Sequence, residues 1–460
     1  MTYEQKTVAL LCLGVLIIGW TLGKSSAERN EAKAPENAPG AVTGRLFLAD
    51  RVRTAGFAEA RMVRSKFATV DATRVRGAFA GLRAGVPASC KKWAVVTTIS
   101  PPSRAIARMS RLPAASGWCT VVVGDRHLPA RPEEYHATLS IEERTRTRLL
   151  LFAEQSALAE AVPFVARLPW DHFGRKNVGY LFAIAAGAEQ IWDFDDDNEV
   201  RSEDGLDVEA RFRGRLRTAP DFPHRVLNPY PLLEPSAPPP PVWPRGFPLL
   251  HIRSPQTWNV TTRPCANPNV VVWQSTANHD PDVDAIHRLT RERHFDFSDG
   301  ADPFVIPGGV FAPYNAQAQL TMRDAFWALY LPVSVNGRVS DILRAYAAER
   351  QFWDLNMSVA FTPPLVVQSR NAHDLLMDFQ GEMDLYLKTE ALLARLAQWE
   401  PRATDLAGRV EELWVDMYER DVIGMRDVDL VQQWLLTLDA LGYPLSDFAP
   451  SPMNWYRLPV

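Results

Sequence analysis

The stretch RKNVGYLFAIAAGAEQIWDFDDDNEV, Arg175 to Val200, carries the most structural information in the chain. Val178, Leu181, Phe182 and Ala185 recur at i, i+3, i+4 and i+7. This spacing predicts a helix over Asn177–Ala188 with one apolar face, closed by Gly187. Ile191 and Trp192 then read as a short buried strand. Asp193, Asp195, Asp196, Asp197 and Glu199 follow directly, five carboxylates in seven residues. In an open α/β sheet, ligands bind outside the C-terminal ends of the strands. Carboxylates packed this closely repel one another, and a cation among them relieves the repulsion. Mg²⁺ and Mn²⁺ suit such a set, taking one or two oxygens from protein and the rest from water and phosphate. The plainer alternative is an acidic surface turn whose Asp and Asn side chains bond their own backbone.

Outward from this stretch, WAVVTTI from Trp93 and TVVVGD from Thr120 read as strands, with RAIARMSRL between them as a helix. Strands alternating with helices imply a parallel sheet with crossover helices. NVVVWQ, Asn269–Gln274, is a further strand. Helices are expected at Pro281–Arg293, Met322–Leu331 and Val339–Leu355, and beyond Pro401 the chain reads as all helix. PSAPPPPVWPRGFP, Pro235–Pro248, has too many prolines for regular structure and forms an ordered loop or a lid.

The 460 residues carry a net charge of −4, which gives no basic signature for nucleic acid. TVALLCLGVLIIGWTLG, Thr7–Gly23, holds no charge and is about 25 Å long as a helix, enough for a thin bilayer. It reads as a single-pass anchor, the alternative being a signal peptide cleaved near Ser25–Ala27. Lys6 and Lys24 flank it evenly, so charge alone sets no orientation. Cys90 and Cys119 each precede or open an apolar strand. Parallel neighbouring strands would let them pair; otherwise they are inert thiols. Asn259 and Asn356 stand in N-x-S/T sequons, which permit a lumenal location.

Several side chains have two readings. Asp193 with Asp195, or Asp195 with Asp197, forms a DxD, and all three face one side if the segment stays extended. Lys176 and Asn177 stand near a helix N-terminus, suited to a diphosphate; Asn177 alone can be a cap. Asp280, before Pro281, reads as an N-cap, with Asp282 and Asp284 complementing the helix dipole. Trp243, Arg245 and Phe247 either flank a sugar or pack in the core.

The opening stretch resembles the nucleotide-sugar segment of GT-A glycosyltransferases: a basic residue, Asn-x-Gly, a helix, an apolar strand and DxD. WPRGFPL (Trp243–Leu249), DPDVDAIHRLTR (Asp280–Arg291), APYNAQ (Ala312–Gln317), the block Asp324–Leu355 and SRNAHDLLMDFQGEMDLY (Ser369–Tyr386) resemble the STELLO-like family of Golgi glycosyltransferase-like proteins, the last block being closer to its non-plant members. The resemblance implies a type II Golgi membrane protein with a lumenal, metal-dependent domain. That domain would take a nucleotide-sugar donor and a glycan or protein acceptor. For plant members it also implies a link to cellulose-synthesising machinery, so a non-catalytic assembly or trafficking factor for Golgi partner enzymes is the alternative. It favours Asp193 and Asp195 as the DxD, with Asp196 adjacent. It suggests His373 as a further metal ligand, Arg370 as a phosphate contact, and Asp341 as the general base that deprotonates the acceptor. Asp341 can otherwise be a surface ion pair with Arg338 or Arg344. The expected architecture is therefore α/β: a GT-A-like, mostly parallel sheet with crossover helices over 89–400. It follows a cytosolic tail at 1–6, an anchor at 7–23 and a linker and basic stem at 24–88, and precedes a helical C-terminal region at 401–460.

Overall fold

A computed structural model describes residues 69–449, apart from 127, 129–131, 138, 203–205, 237–240, 267, 292–293 and 371–373, together with the short strand Val42–Thr43. The expected anchor at Thr7–Gly23, the linker, most of the basic stem and His373 lie outside the described residues. No helix among the described residues is long and apolar enough to cross a membrane.

Seven strands form the centre of one large sheet: β1 (Lys92–Thr98), β2 (Trp118–Gly124), β3 (Thr147–Leu150), β4 (Gln190–Asp193), β5 (Val270–His279), β6 (Gln319–Met322) and β7 (Ser358–Gln368). Their spatial order is β3-β2-β1-β4-β6-β5-β7. The block β3-β2-β1-β4 is parallel throughout, as is the β5/β7 pair, and β6 runs antiparallel between β4 and β5. Short strands at Phe304–Val305, Arg217–Thr218 and Arg263–Pro264 extend the β7 side. The expected mostly parallel α/β sheet is present. Its strand order grows one way from β1 to β3 and then jumps back across β1 to β4, which opens a crevice at the C-terminal ends of β1 and β4.

Alternation along β1 explains the layering. Trp93 and Val95 face one core, and Ala94 and Val96 the other. On the first face lie α1 (Ala72–Leu82), α2 (Lys176–Ala185) and α3 (Gly337–Asp354), and α4 (Met383–Ala397), α5 (Leu406–Glu419) and α6 (Met425–Ala440) contribute to the same core. The helix Arg104–Ser110 covers the second face through Ile106 and Met109. α1, at the described end of the expected stem, and the helices of the expected C-terminal region thus share a core with the sheet. Val75 and Phe79 of α1 are buried, Arg76 donates to the Ala440 carbonyl at 2.9 Å, and Trp434 Nε1 donates to the Trp327 carbonyl at 2.9 Å. Cys90 and Cys119 form a disulfide, their Cα atoms 5.6 Å apart. The parallel β1/β2 register, which sets Trp93 beside Cys119, brings the two sulfurs together.

Two helices differ from expectation. The helix expected over Pro281–Arg293 spans only Ala285–Thr290, with Asp284, not Asp280, as its N-cap. Met322–Leu331 holds a 3₁₀ helix, Arg323–Leu329, instead of an α-helix.

Candidate functional site

The helix α2 delivers its side chains to the end of β4. Lys176 is fully buried, with Nζ 2.5 Å from Asp193 Oδ1, 3.0 Å from Asp195 Oδ1 and 2.9 Å from the Ala316 carbonyl. Burial favours the neutral amine, but Asp193 and Asp195 outweigh it and hold Lys176 above the ordinary lysine value. Tyr180, one turn further on, donates to Asp193 Oδ2. Arg344 of α3 lies 3.4 Å from the same oxygen and donates to Gln319 Oε1 at 2.6 Å. A carboxylate this deep persists charged only when paired and hydrogen-bonded. The cation between Asp193 and Asp195 is therefore the Lys176 ammonium. Asp193, expected as a metal and donor ligand, is instead a buried anchor of the α2–β4–α3 junction with no exposed surface.

Beyond Asp193 the strand ends and the chain turns; Asp193 and Asp195 still converge on Lys176, whereas Asp197 is held by Gln368 at the end of β7. Asp195, Asp196 and Asp197 are half-buried in that turn. Asp196 accepts from Thr98 Oγ1 at the end of β1, at 2.5 Å, which ties the loop across the β1/β4 crevice. Asp197 accepts from Asn198 Nδ2 at 2.8 Å and from Gln368 Nε2 at 3.3 Å, at the end of β7. Gln317 Nε2 bridges Asn198 Oδ1 and Gln368 Oε1, at 2.8 and 2.5 Å. Burial, then repulsion from Asp195 and Asp196, pushes the Asp197 carboxyl up to about 6. Among the described residues no group of three His, Cys, Asp and Glu is placed to hold a metal ion; His373, expected as a further ligand, lies outside them.

A second polar cluster meets the first at Ala316, whose carbonyl serves Lys176 and whose N–H serves Asp341. Arg245, from the Pro-rich loop, forks to Asp341 at 2.9 and 2.8 Å and to Asp282 at 2.9 Å through each of Nε and Nη2. Asn315 Nδ2 donates to Asp282 Oδ2 at 2.6 Å. The Arg245 guanidinium and the Asn315 amide hold Asp282 well below the usual carboxylate range, against its burial. Asp341 Oδ1 also accepts from the Ile342 N–H at 3.0 Å, and Oδ2 from the Ala316 N–H at 3.1 Å. Four donors thus fill the roughly four lone-pair positions of this carboxylate. A general base needs one position free for the acceptor hydroxyl. The Asp341 expected as that base is here a saturated, buried ion-pair partner. The sequence alternative of an ion pair was sound in kind but named the wrong arginines.

Asn177 is also corrected. Its amide is clamped in both directions to the Leu331 backbone, at 2.9 Å each way. A 3₁₀ turn, Phe173–Arg175, runs straight into α2, so the cap lies at His172 and Asn177 meets no open helix terminus. Arg370 pairs with Asp378 at 2.8 Å; burial, then Arg338 and Arg288, pushes it down to about 10. Trp243 and Phe247 are buried, Trp243 Nε1 donating to Asp284 Oδ2 at 2.6 Å, so neither presents a face to a sugar. Sequence reasoning missed Tyr180, Gln319, Gln317 and Gln368. The signal for the middle pair was the APYNAQAQ run, whose alternating polar residues stand where β6 begins.

The family described as STELLO glycosyltransferases matches residues 338–453, a stretch that includes Asp341 and Arg344. Two proteins of Arabidopsis thaliana, named probable glycosyltransferase STELLO2 and STELLO1, are each 30% identical to the chain over 368 and 367 residues, 77% of this chain and 45% of theirs. The chain therefore spans less than half the length of these relatives. A mannosyltransferase from Pyrobaculum calidifontis, solved in complex with GDP-Man and Mn²⁺, aligns over 81% of this chain and 97% of its own at 10% identity, with a TM-score of 0.24, too low to bear on fold or function. Sheet and sequence relatives together define a glycosyltransferase-like α/β protein. Within that class, the chain belongs to the STELLO-like family.

Proposed function

We propose that the protein is a glycosyltransferase of GT-A type that uses a nucleotide-diphospho-sugar donor and a divalent metal. The observation that carries this reading is the half-exposed Asp195–Asp197 turn at the C-terminal end of β4. It is tied across the β1/β4 crevice and backed by an Asp193 that is already neutralised. The fit to a metal rests on the same turn: its donors are all carboxylate oxygens, and Asp197 is pushed up to about 6 by burial and then by the like charge of Asp195 and Asp196. Asp195 and Asp197 would hold Mn²⁺ or Mg²⁺, which would stabilise the departing nucleoside diphosphate. Lys176, Tyr180 and Arg344 fix the end of β4, so the turn is positioned before donor arrives. The reading includes a Golgi location, with an anchor at Thr7–Gly23, a lumenal domain and a glycan or protein acceptor. The uncharged N-terminal stretch and the buried disulfide support it.

A second reading has its own support. Saturation of Asp341 removes the expected base, which favours a glycosyltransferase-like assembly or trafficking factor for Golgi partner enzymes. The test is calorimetry on the detergent-solubilised full chain with UDP- and GDP-sugars, with Mn²⁺ and then with EDTA, beside an Asp195→Asn/Asp197→Asn variant. Metal-dependent binding, weakened tenfold or more in the variant, is expected. A folded protein that binds no donor in the panel overturns the transferase reading and leaves the assembly factor.

A further inference from the structure

We propose that Asn259 and Asn356 are N-glycosylation sites, both placed on the side of the molecule away from the acidic turn. Three observations carry this. First, the chain has two N-x-S/T sequons, Asn259-Val260-Thr261 and Asn356-Met357-Ser358, and both asparagines are exposed in connecting segments. Neither side-chain amide has a hydrogen-bond partner among the described residues. In the second sequon, Met357 is buried while Asn356 faces solvent. Asn356 also adopts φ +53°, a conformation Asn tolerates; Asn259 has no such backbone reason to be asparagine.

Second, both sites lie at the N-terminal edge of the strands. Asn356 stands two residues before the start of β7, whose far end, Gln368, contacts Asp197. At about 3.3 Å per residue, that strand separates the two ends by roughly 30 Å. Asn259 lies five residues before Pro264. Pro264 pairs with Arg217, Arg217 with Phe304, and Phe304 with Phe361 near the start of β7. A glycan at either site leaves the β1/β4 crevice open. Third, Cys90 and Cys119 are both buried and bonded to each other. Such bonds form and persist in oxidising compartments, where N-glycosylation also occurs.

In the modification, the asparagine Nδ2 forms a bond to the anomeric carbon of an oligosaccharide. The bond from that carbon to a lipid diphosphate breaks, and the amide gives up one proton as the lipid diphosphate leaves. The donor is thus a lipid-diphospho-oligosaccharide. This inference does not depend on the transferase reading.

The test expresses the full chain in eukaryotic cells and follows its gel mobility and intact mass before and after peptide-N-glycosidase. Deglycosylation in ¹⁸O-water then marks each occupied asparagine as a labelled aspartate. Two steps of shift are expected, one lost in Asn259→Gln and one in Asn356→Gln. Thr261→Ala and Ser358→Ala must reproduce these losses with both asparagines in place, which guards against a misfolded Asn variant. No glycosidase-sensitive shift overturns the proposal, whether or not the Cys90–Cys119 bond has formed. A label at one asparagine only overturns the assignment of the other.

Discussion

At the scale of single residues, identical side chains take opposite roles according to depth. Asp193 and Asp195 stand two positions apart, yet one is sealed against Lys176, Tyr180 and Arg344 while the other, also bonded to Lys176, stays partly exposed. The sequence could place an acidic cluster at a strand end, but not which of the carboxylates bonded to its own lysine would be sealed. That choice depends on α2 and α3 arriving from elsewhere in the chain. Asp284 shows the energetic side of burial. It caps Ala285–Thr290 and accepts from Trp243, yet burial outweighs these hydrogen bonds and pushes its carboxyl up to about 7. Between about pH 4 and 7 the folded state therefore holds a proton that the unfolded state has released. The stabilisation is complete below pH 4 and is lost as pH rises through 7. Neighbouring His287, pushed down to about 4 by burial and then Arg291 and Arg288, has the opposite slope between about pH 4 and 6.5. Asp284→Asn keeps the cap and removes only the first contribution. Its stability relative to wild type should rise from pH 4 to pH 7.5, by an amount on the order of a few kcal/mol. Urea denaturation across that range checks this, and a pH-independent difference would refute it.

At the scale of elements, the Lys-Asn-x-Gly start of α2 is a packing instruction. Lys176 reaches the carboxylates and Asn177 clamps Leu331. Gly179 lets the helix lie against the sheet, because a Cβ there would sit 2.6 Å from Val95 Cγ1 and 2.8 Å from Val123 Cγ2. Ala is the better helix former by about 1 kcal/mol, but overpacking against two β-strand valines costs about 1–3 kcal/mol. Gly179→Ala should therefore destabilise the protein, read as a lower urea midpoint with unchanged m-value. A higher midpoint would mean that the helix does not approach the sheet this closely. Apolar spacing made α2 and α3 legible and continuous apolar runs made β1 and β2 legible, although all four are buried nearly all round. Spacing failed over Asp280–Arg293, where three aspartates compete for the N-cap. Arg288 claims Asp280 and Arg245 claims Asp282, which leaves Asp284 to cap a much shorter helix.

At the scale of the whole molecule, β1 and β2 are joined twice, by backbone pairing and by the Cys90–Cys119 bond. The bond closes a loop of 29 residues, which stabilises by about 3–4 kcal/mol through the unfolded state. Cys90→Ala/Cys119→Ala should lose about that much in urea denaturation at equal pH. A loss below about 1 kcal/mol would show that the bond does not form or adds nothing. The sequence by itself determined the alternating α/β pattern, the strand that ends in carboxylates, the cysteines able to pair and the family resemblance, because these are local: each is written in spacing, periodicity or a contiguous motif. Only the tertiary structure decided the strand order, the union of α1 and the C-terminal helices with the sheet, and the partners of Asp193 and Asp341. Those partners, Arg344 and Arg245, come from 151 and 96 residues away. A buried charge is defined by whatever the fold brings into hydrogen-bonding reach of it, and no local pattern encodes that.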